Sequence, residues 1–342
     1  MDAVRRAGAG GRLTAAALGT ALLLMAVGCS GDGEGNRQRQ EERARGANAG
    51  KGAPFWVNPN GSAARQVQAY ERQGRRDEAE AIRRIAEQPV GEWIGTSDPE
   101  GEARAFTESA VRADRRALLV LYNIPHRDCG NYSGGGAPDG DAYRAWLEGV
   151  TRGIGDRPAT VVLEPDAVLH LVDGCTPAEF HEERYALLDE AVTRLKELRN
   201  TKVYLDAGNA GWGRPEQIWE PLKRAGVEKA DGFAVNVSNF YSTADSIAYG
   251  KSLSAKTGGK HFVVDTSRNG NGPYREGDPG ERWCNPPGRA LGERPTTRTA
   301  DPLVDAYVWA KRPGESDGTC KGGPKAGQWW PEYALALARA SE

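Results

Sequence analysis

The stretch Ala117-Leu118-Leu119-Val120-Leu121-Tyr122-Asn123-Ile124-Pro125 decides the fold. Its first five positions are aliphatic with no polar alternation, so both faces of the segment are apolar. A short run of this kind, stopped by Asn and Pro, reads as a strand of a parallel sheet covered on both sides. Five further runs repeat the pattern: TVVLEPDAV (160–168), KVYLDAG (202–208), GFAVNVSNF (232–240), HFVVDTS (261–267) and DAYVWAK (305–311). Amphipathic segments such as 179–199 and 215–225 lie between them. Strand then helix, repeated about six times, predicts an α/β fold with a closed or nearly closed (β/α) barrel of mostly parallel strands. A doubly wound open sheet is the rival architecture. No GxGxxG opens a helix after the first strand, which removes support for its dinucleotide-binding form.

Nearly every run ends in polar residues: His126-Arg127-Asp128, Glu164-Pro165-Asp166, Asp206 to Asn209, Asn236 to Asn239, Asp265 to Asn269, and Lys311 to Asp317. In a parallel barrel these C-terminal ends share one side, so carboxylates remote in sequence converge on one cleft. A single such carboxylate is usually a helix cap or a turn residue. Six together, with nine tryptophans against six phenylalanines, suit sugar chemistry. Acid and base flank the bond, and indole faces stack on pyranose rings.

The first twelve residues carry Arg5, Arg6 and Arg12, and an apolar run follows to Gly28 and Cys29. This reads as a secretory signal over 1–29, with Ala26-Val27-Gly28-Cys29 as a lipobox in which Cys29 is lipidated. An ordinary cleaved signal is the alternative. Residues 30–53 are polar and Gly-rich, a flexible linker, and 54–342 form the globular catalytic domain. With Cys29 set aside, four cysteines remain, an even number that favours disulfides in an exported chain.

The formal charge of -2 argues against a nucleic-acid partner. There is no HExxH, no CxxC and no phosphate-binding GxxxxGK[ST], so the sequence calls for no metal and no cofactor.

The strings YNIPHRDC (122–129), VLEPDAV, YLDAGNAGW (204–212), FAVNVSNF, VDTSRNG, WCNPPGRALG (283–292) and VWAKRPGESDG (308–318) resemble, in order, the motifs of glycoside hydrolase family 6. This family comprises inverting endoglucanases and cellobiohydrolases, and the resemblance runs from about Phe55 to the C-terminus. It implies a distorted (β/α) barrel with its active-site cleft at the C-terminal ends of the strands. It implies that Asp166 is the general acid, that Asp128 raises its pKa, that Tyr122 lies under the distorted sugar, and that Asp317 is the base. Trp56, Ser133, Asp206, Asn209, Trp212, Asn236, Asn239, Trp283, Lys311 and Glu315 match sugar-contacting or cleft positions. The family disulfides correspond to Cys129 with Cys175 and Cys284 with Cys320.

The chain departs from the family at Asn209, where His is usual, at His126, and in the GNYSGGGAP loop, where Ser133 matches only with a one-residue shift. The short stretch from Gly292 to Asp301 leaves no room for the long loop that roofs a cellobiohydrolase cleft, so an endo-β-1,4-glucanase is expected. A cellobiohydrolase and a catalytically weakened cell-surface glucan-binding relative are the alternatives. No separate cellulose-binding module is read. The expected partner is a β-1,4-glucan or cello-oligosaccharide, met by a monomer that touches a membrane only through its N-terminal lipid.

Overall fold

Among the described residues, seven parallel strands run in the order β1 to β7, each hydrogen-bonded to the next in sequence. They are β1 (Glu92–Trp93), β2 (Ala117–Leu121), β3 (Ala159–Leu163), β4 (Thr201–Asp206), β5 (Gly232–Val235), β6 (His261–Asp265) and β7 (Val304–Val308). The structure is a computed structural model, and it describes residues 54–130 and 132–341. The signal segment with Cys29 and the linker to residue 53 lie outside the described residues.

All six apolar runs are strands. The seventh strand, β1, is only two residues long and carries no run to betray it. Every residue of β2, β3 and β5 is buried, as strands covered on both faces must be. Alternate side chains divide between two cores. Leu119 and Leu121 join the outer layer with Val161, Leu163, Val203 and Leu205. Leu118 and Val120 point inward with Val162, Tyr204, Ala234 and Val308.

The outer layer is covered by helices α3 (Pro99–Arg112), α4 (Gly140–Ile154), α6 (His181–Lys196), α7 (Pro215–Arg224) and α8 (Thr243–Lys256). Side-chain caps set the starts of three of them. Asp98 accepts the Gly101 N–H before α3, Asp139 accepts the Ala142 N–H before α4, and Ser242 accepts the Asp245 N–H before α8. Two N-terminal helices, Ser62–Arg72 and Arg76–Ala86, pack with the C-terminal helix Pro331–Arg339 in a separate apolar cluster around Trp309.

No ladder joins β7 to β1 among the described residues, so the sheet is a curled, distorted barrel with a seam. Single contacts close the seam. The Gly91 N–H donates to Trp309 O at 2.8 Å, and the Trp93 indole N–H donates to Ala310 O at 2.9 Å. Arg312 pairs with Glu92 at 3.3 Å across it. A Cβ on Gly91 would lie 2.7 Å from Ala310 O, so only glycine permits this approach.

Candidate active site

The strand ends open into a cleft of about 1050 Å³. Its floor is built from strained backbone. His126, Asp128 and Cys129 after β2, Glu164 and Asp166 after β3, and Asn236 and Ser238 after β5 all have left-handed φ. Such conformations in non-glycine residues cost about 1–3 kcal/mol each and persist only where surrounding contacts fix them. Buried carboxylates supply those contacts. Glu164 accepts the N–H groups of Asn123 and Ile124 at 3.0 Å, tying the end of β3 to the bend after Tyr122. Burial pushes its carboxyl up to about 7.

Asp206 performs the same task one strand along. It is fully buried, and its Oδ2 accepts the Asp166 N–H at 2.9 Å and the Gly208 N–H at 3.2 Å. Gly208 sits at φ +75 with a hypothetical Cβ 2.7 Å from Leu169, which fixes the sharp turn after β4. Burial is the main reason the Asp206 carboxyl is raised, to about 7.

Asp166 lines the cleft above it. Burial raises its pKa well above the ordinary carboxylate range, and the like charges of Asp206, Asp128 and Asp173 add to that shift. Asp128 also lines the cleft, and burial raises its carboxyl too. Its Oδ2 accepts the Ser133 N–H at 2.6 Å, and the Ser133 carbonyl accepts Arg127 Nε at 2.8 Å. Arg127 lies over the Tyr122 ring at 4.8 Å and donates to the Tyr122 carbonyl.

Across the cleft, Asp317 lives in the opposite field. Arg268 Nη1 reaches both of its oxygens at 2.9 Å, Lys311 Nζ lies 3.1 Å away, and the Asn285 N–H donates at 3.0 Å. Burial works to raise this carboxyl, yet the two cations hold it below the ordinary range. Arg268 is itself wholly buried, with its guanidinium 4.3 Å over Phe240. Glu315 pairs with Arg312 at 3.0 Å beside it.

Most of the residues singled out from sequence meet in this cleft: Asp128, Asp166, Asp317 and Tyr122, with Ser133, Asn209, Trp212, Asn239, Trp283, Lys311 and Glu315 also on its walls. Trp212 donates its indole N–H to Asp173 at 3.1 Å, and Asn209 Oδ1 accepts the Gly211 N–H at 3.0 Å. Trp283 is exposed at the rim, its ring 6.1 Å from that of Tyr132. Cys129 bonds to Cys175 and Cys284 to Cys320, so each bridge pins a loop bearing a cleft carboxylate.

Three residues expected on the cleft lie elsewhere. Trp56 packs edge-on against Phe106 at 4.8 Å at the margin of the outer core, because the chain enters there beside α3. Asp206 is spent on backbone N–H groups beneath Asp166, as described above. Asn236 spends its amide on the carbonyls of Tyr241 and Asp265 and on the Tyr241 N–H, so it braces a loop.

Sequence reasoning missed three cleft-side groups. Trp93 lines the cleft edge-on to Tyr122 at 5.6 Å. Only the surplus of tryptophan hinted at it, since β1 has no apolar run. Arg127 and Arg268 stood inside quoted motifs without a role, and only the fold turns them onto Tyr122 and Asp317.

The sequence model of glycosyl hydrolases family 6 matches residues 50–341. Endoglucanase A of Cellulomonas fimi is 44% identical over 83% of this chain, and endoglucanase 1 of Streptomyces halstedii is 41% identical over 83%. The match covers 61% of the former protein and 88% of the latter, so the chain spans about three fifths of the Cellulomonas relative. The endoglucanase Cel6 from Mycobacterium tuberculosis, in complex with methyl-cellobiosyl-4-deoxy-4-thio-β-D-cellobioside, superposes with a TM-score of 0.79 at 40% identity, covering 86% of this chain and 99% of that one. On this extent of similarity, the chain belongs to glycosyl hydrolases family 6.

Proposed function

We propose that the chain is an inverting endo-β-1,4-glucanase acting on internal bonds of cellulose or soluble β-glucan. One observation carries this reading: two carboxyls on one cleft sit in opposite electrostatic surroundings. Burial and neighbouring carboxylates push Asp166 well above the ordinary carboxylate range, while Arg268 and Lys311 hold Asp317 below it. This division matches the needs of glycoside hydrolysis, and inversion is what the family resemblance implies.

In the proposed reaction Asp166 gives its proton to the glycosidic oxygen as the C1–O bond breaks. Asp128, a few residues from Tyr122, faces the positive charge that develops on the sugar ring. Water attacks C1 from the opposite face, and its proton passes toward Asp317. Three donors, Arg268 Nη1, Lys311 Nζ and the Asn285 N–H, surround the Asp317 oxygens, so its basicity is low; its negative charge favours water on that side. Tyr122 and Trp93 offer ring surface beneath the sugars on one side of the acid, Trp212 on the other.

The endo assignment draws support from four bacterial relatives named endoglucanase at 39–44% identity, against 33% for those named cellobiohydrolase. The short connection from Gly292 to Asp301 agrees with it. Asn209, in place of a histidine, favours the second reading of a weakened glucan binder. Two disulfides suit an oxidising compartment, so we place the protein outside the cytoplasm as a monomer, exported and anchored through Cys29.

Viscometry of carboxymethylcellulose together with NMR of the first product anomer tests the proposal. The expected result is a rapid fall in viscosity with α-anomeric release, abolished by Asp166→Asn. Slow release of cellobiose alone without viscosity loss would exclude the endo reading, and β-anomeric product would exclude inversion.

A further inference from the structure

Asp173 is a carboxylate that this reaction leaves unused. It ends the short helix Leu169–Val172 that begins three residues after Asp166, and it lines the cleft. Its Oδ1 accepts the Cys175 N–H at 2.9 Å, while Oδ2 accepts the Trp212 indole N–H at 3.1 Å. On another flank the His170 ring meets the Trp212 indole with centroids 5.1 Å apart. Burial drives the His170 imidazole down to about 4, so it packs as an uncharged ring near neutral pH. His170 also donates its backbone N–H to the Asp166 carbonyl at 3.0 Å. Cys175 is bonded to Cys129, the neighbour of Asp128. A continuous path therefore runs from the Asp128 loop through the disulfide and Asp173 to Trp212.

The strand order gives this path a direction. Trp93 and Tyr122 come from β1 and β2, Asp166 follows β3, and Trp212 follows β4. Asp166 therefore stands between the two groups of rings. With Tyr122 under the sugar whose bond opens, Trp212 faces the departing chain.

We propose that Asp173, backed by His170, is a positioning residue that fixes the Trp212 indole as a platform for the departing glucan, and so sets a preference for substrates long enough to reach it. The inference rests on the glucanase reading of the cleft. A carboxylate on the indole N–H and a ring against its side restrict the rotamer before substrate arrives, which lowers the ordering cost of binding. The indole face stays available for stacking. Asp173 also adds its charge to those of Asp206 and Asp128 around Asp166; the Asp166 charge acts on the Tyr122 hydroxyl, and His170 and Arg184 face the Asp173 charge.

The test compares Asp173→Ala, Asp173→Asn, Trp212→Ala and the Asp173→Ala/Trp212→Ala double variant on cellohexaose and on an aryl β-cellobioside whose leaving group carries no sugar. Asn keeps an acceptor oxygen for the indole; Ala does not. Loss of one such hydrogen bond is expected to raise KM for cellohexaose about fivefold in Asp173→Ala, with the aryl substrate changed less than about twofold. Asp173→Asn restores most of the KM, and Asp173→Ala adds nothing once Trp212 is gone. Both Asp173 variants move the alkaline limb of the pH–rate profile to lower pH, because one like charge beside Asp166 is lost; Trp212→Ala does not. Equal losses on both substrates, or full additivity in the double variant, overturn the inference. Calorimetric titration with cellohexaose in an Asp166→Asn background reads the platform without turnover. A wild type that cleaves nothing would thus defeat the glucanase reading, while the titration alone decides the role of Asp173.

Discussion

The ends of β3 and β7 present the same residue, aspartate, to the same cleft, and they treat it in opposite ways. Both carboxyls pay the cost of burial, which by itself raises both. At the β3 end the neighbours are Asp206, Asp128 and Asp173, which push the carboxyl further up. At the β7 end they are Arg268 and Lys311, which outweigh burial and bring it down. The contrast teaches that, with depth and residue type shared, the sign of the surrounding charge decides in which direction each carboxyl is shifted. Each neighbour is itself held by the fold: Asp206 by backbone N–H groups under Asp166, Arg268 by Asp317, Phe240 and the Ser238 carbonyl.

The most drastic way to break the comparison is to make the β3 carboxyl unable to give a proton. Asp166→Asn is expected to lower kcat on soluble glucan by about 10²–10⁴-fold, the usual range for a lost general acid, with little change in KM. Steady-state kinetics checks this, and a loss under tenfold would remove Asp166 from the role.

Next in size is an attack on the β7 side through its cation. Arg268→Met leaves a similar volume but strips Asp317 of its main partner. A buried ion pair broken from one side costs about 3–5 kcal/mol, so urea unfolding should show a loss of that order. The acid limb of the activity profile should also move to higher pH, since of the two cations only Lys311 is then left to oppose the burial that raises Asp317. A destabilised variant with an unmoved acid limb would mean that Asp317 does not control that limb.

The two sides were not equally legible in the sequence. The six apolar runs were enough for a parallel sheet, because strands buried on both faces leave no alternation to confuse them with helices. Asp166 and Asp317 could be singled out because the chemistry of the resembling family attaches to their short local motifs. What surrounds them could not. Asp206 and Asn236 looked like cleft residues, since a polar side chain at a strand end reads alike whether it meets substrate or its neighbours' backbone. Arg268 arrives at Asp317 from 49 residues away, and no local spacing announces such a partner. Trp93 sits on a two-residue strand that exists only because β2 is there to pair with it.

The comparison can be sharpened most finely through the pH dependence of stability, where the two sides have opposite signs. Asp317 has a folded pKa below its unfolded value. Its contribution is therefore present above about pH 4 and is lost as pH falls through the depressed value. Glu164 and Asp206, beneath Asp166, have folded values raised to about 7. Between roughly pH 4 and 7 the unfolded chain gives up these protons while the folded chain keeps them, so stability falls as pH rises across that window and levels off above it. Heating scans should then give a lower Tm at pH 8 than at pH 5. Glu164→Gln removes one titration while keeping an acceptor for the Asn123 and Ile124 N–H groups. It should shrink that difference by several degrees, since a rise from 4.5 to about 7 corresponds to about 3 kcal/mol. An undiminished slope would mean that Glu164 ionises normally in the folded protein. The strained backbone that carries Asp166 would then be held by a charged carboxylate, as it is around Asp317, and the contrast between the two strand ends would narrow to Asp166 itself.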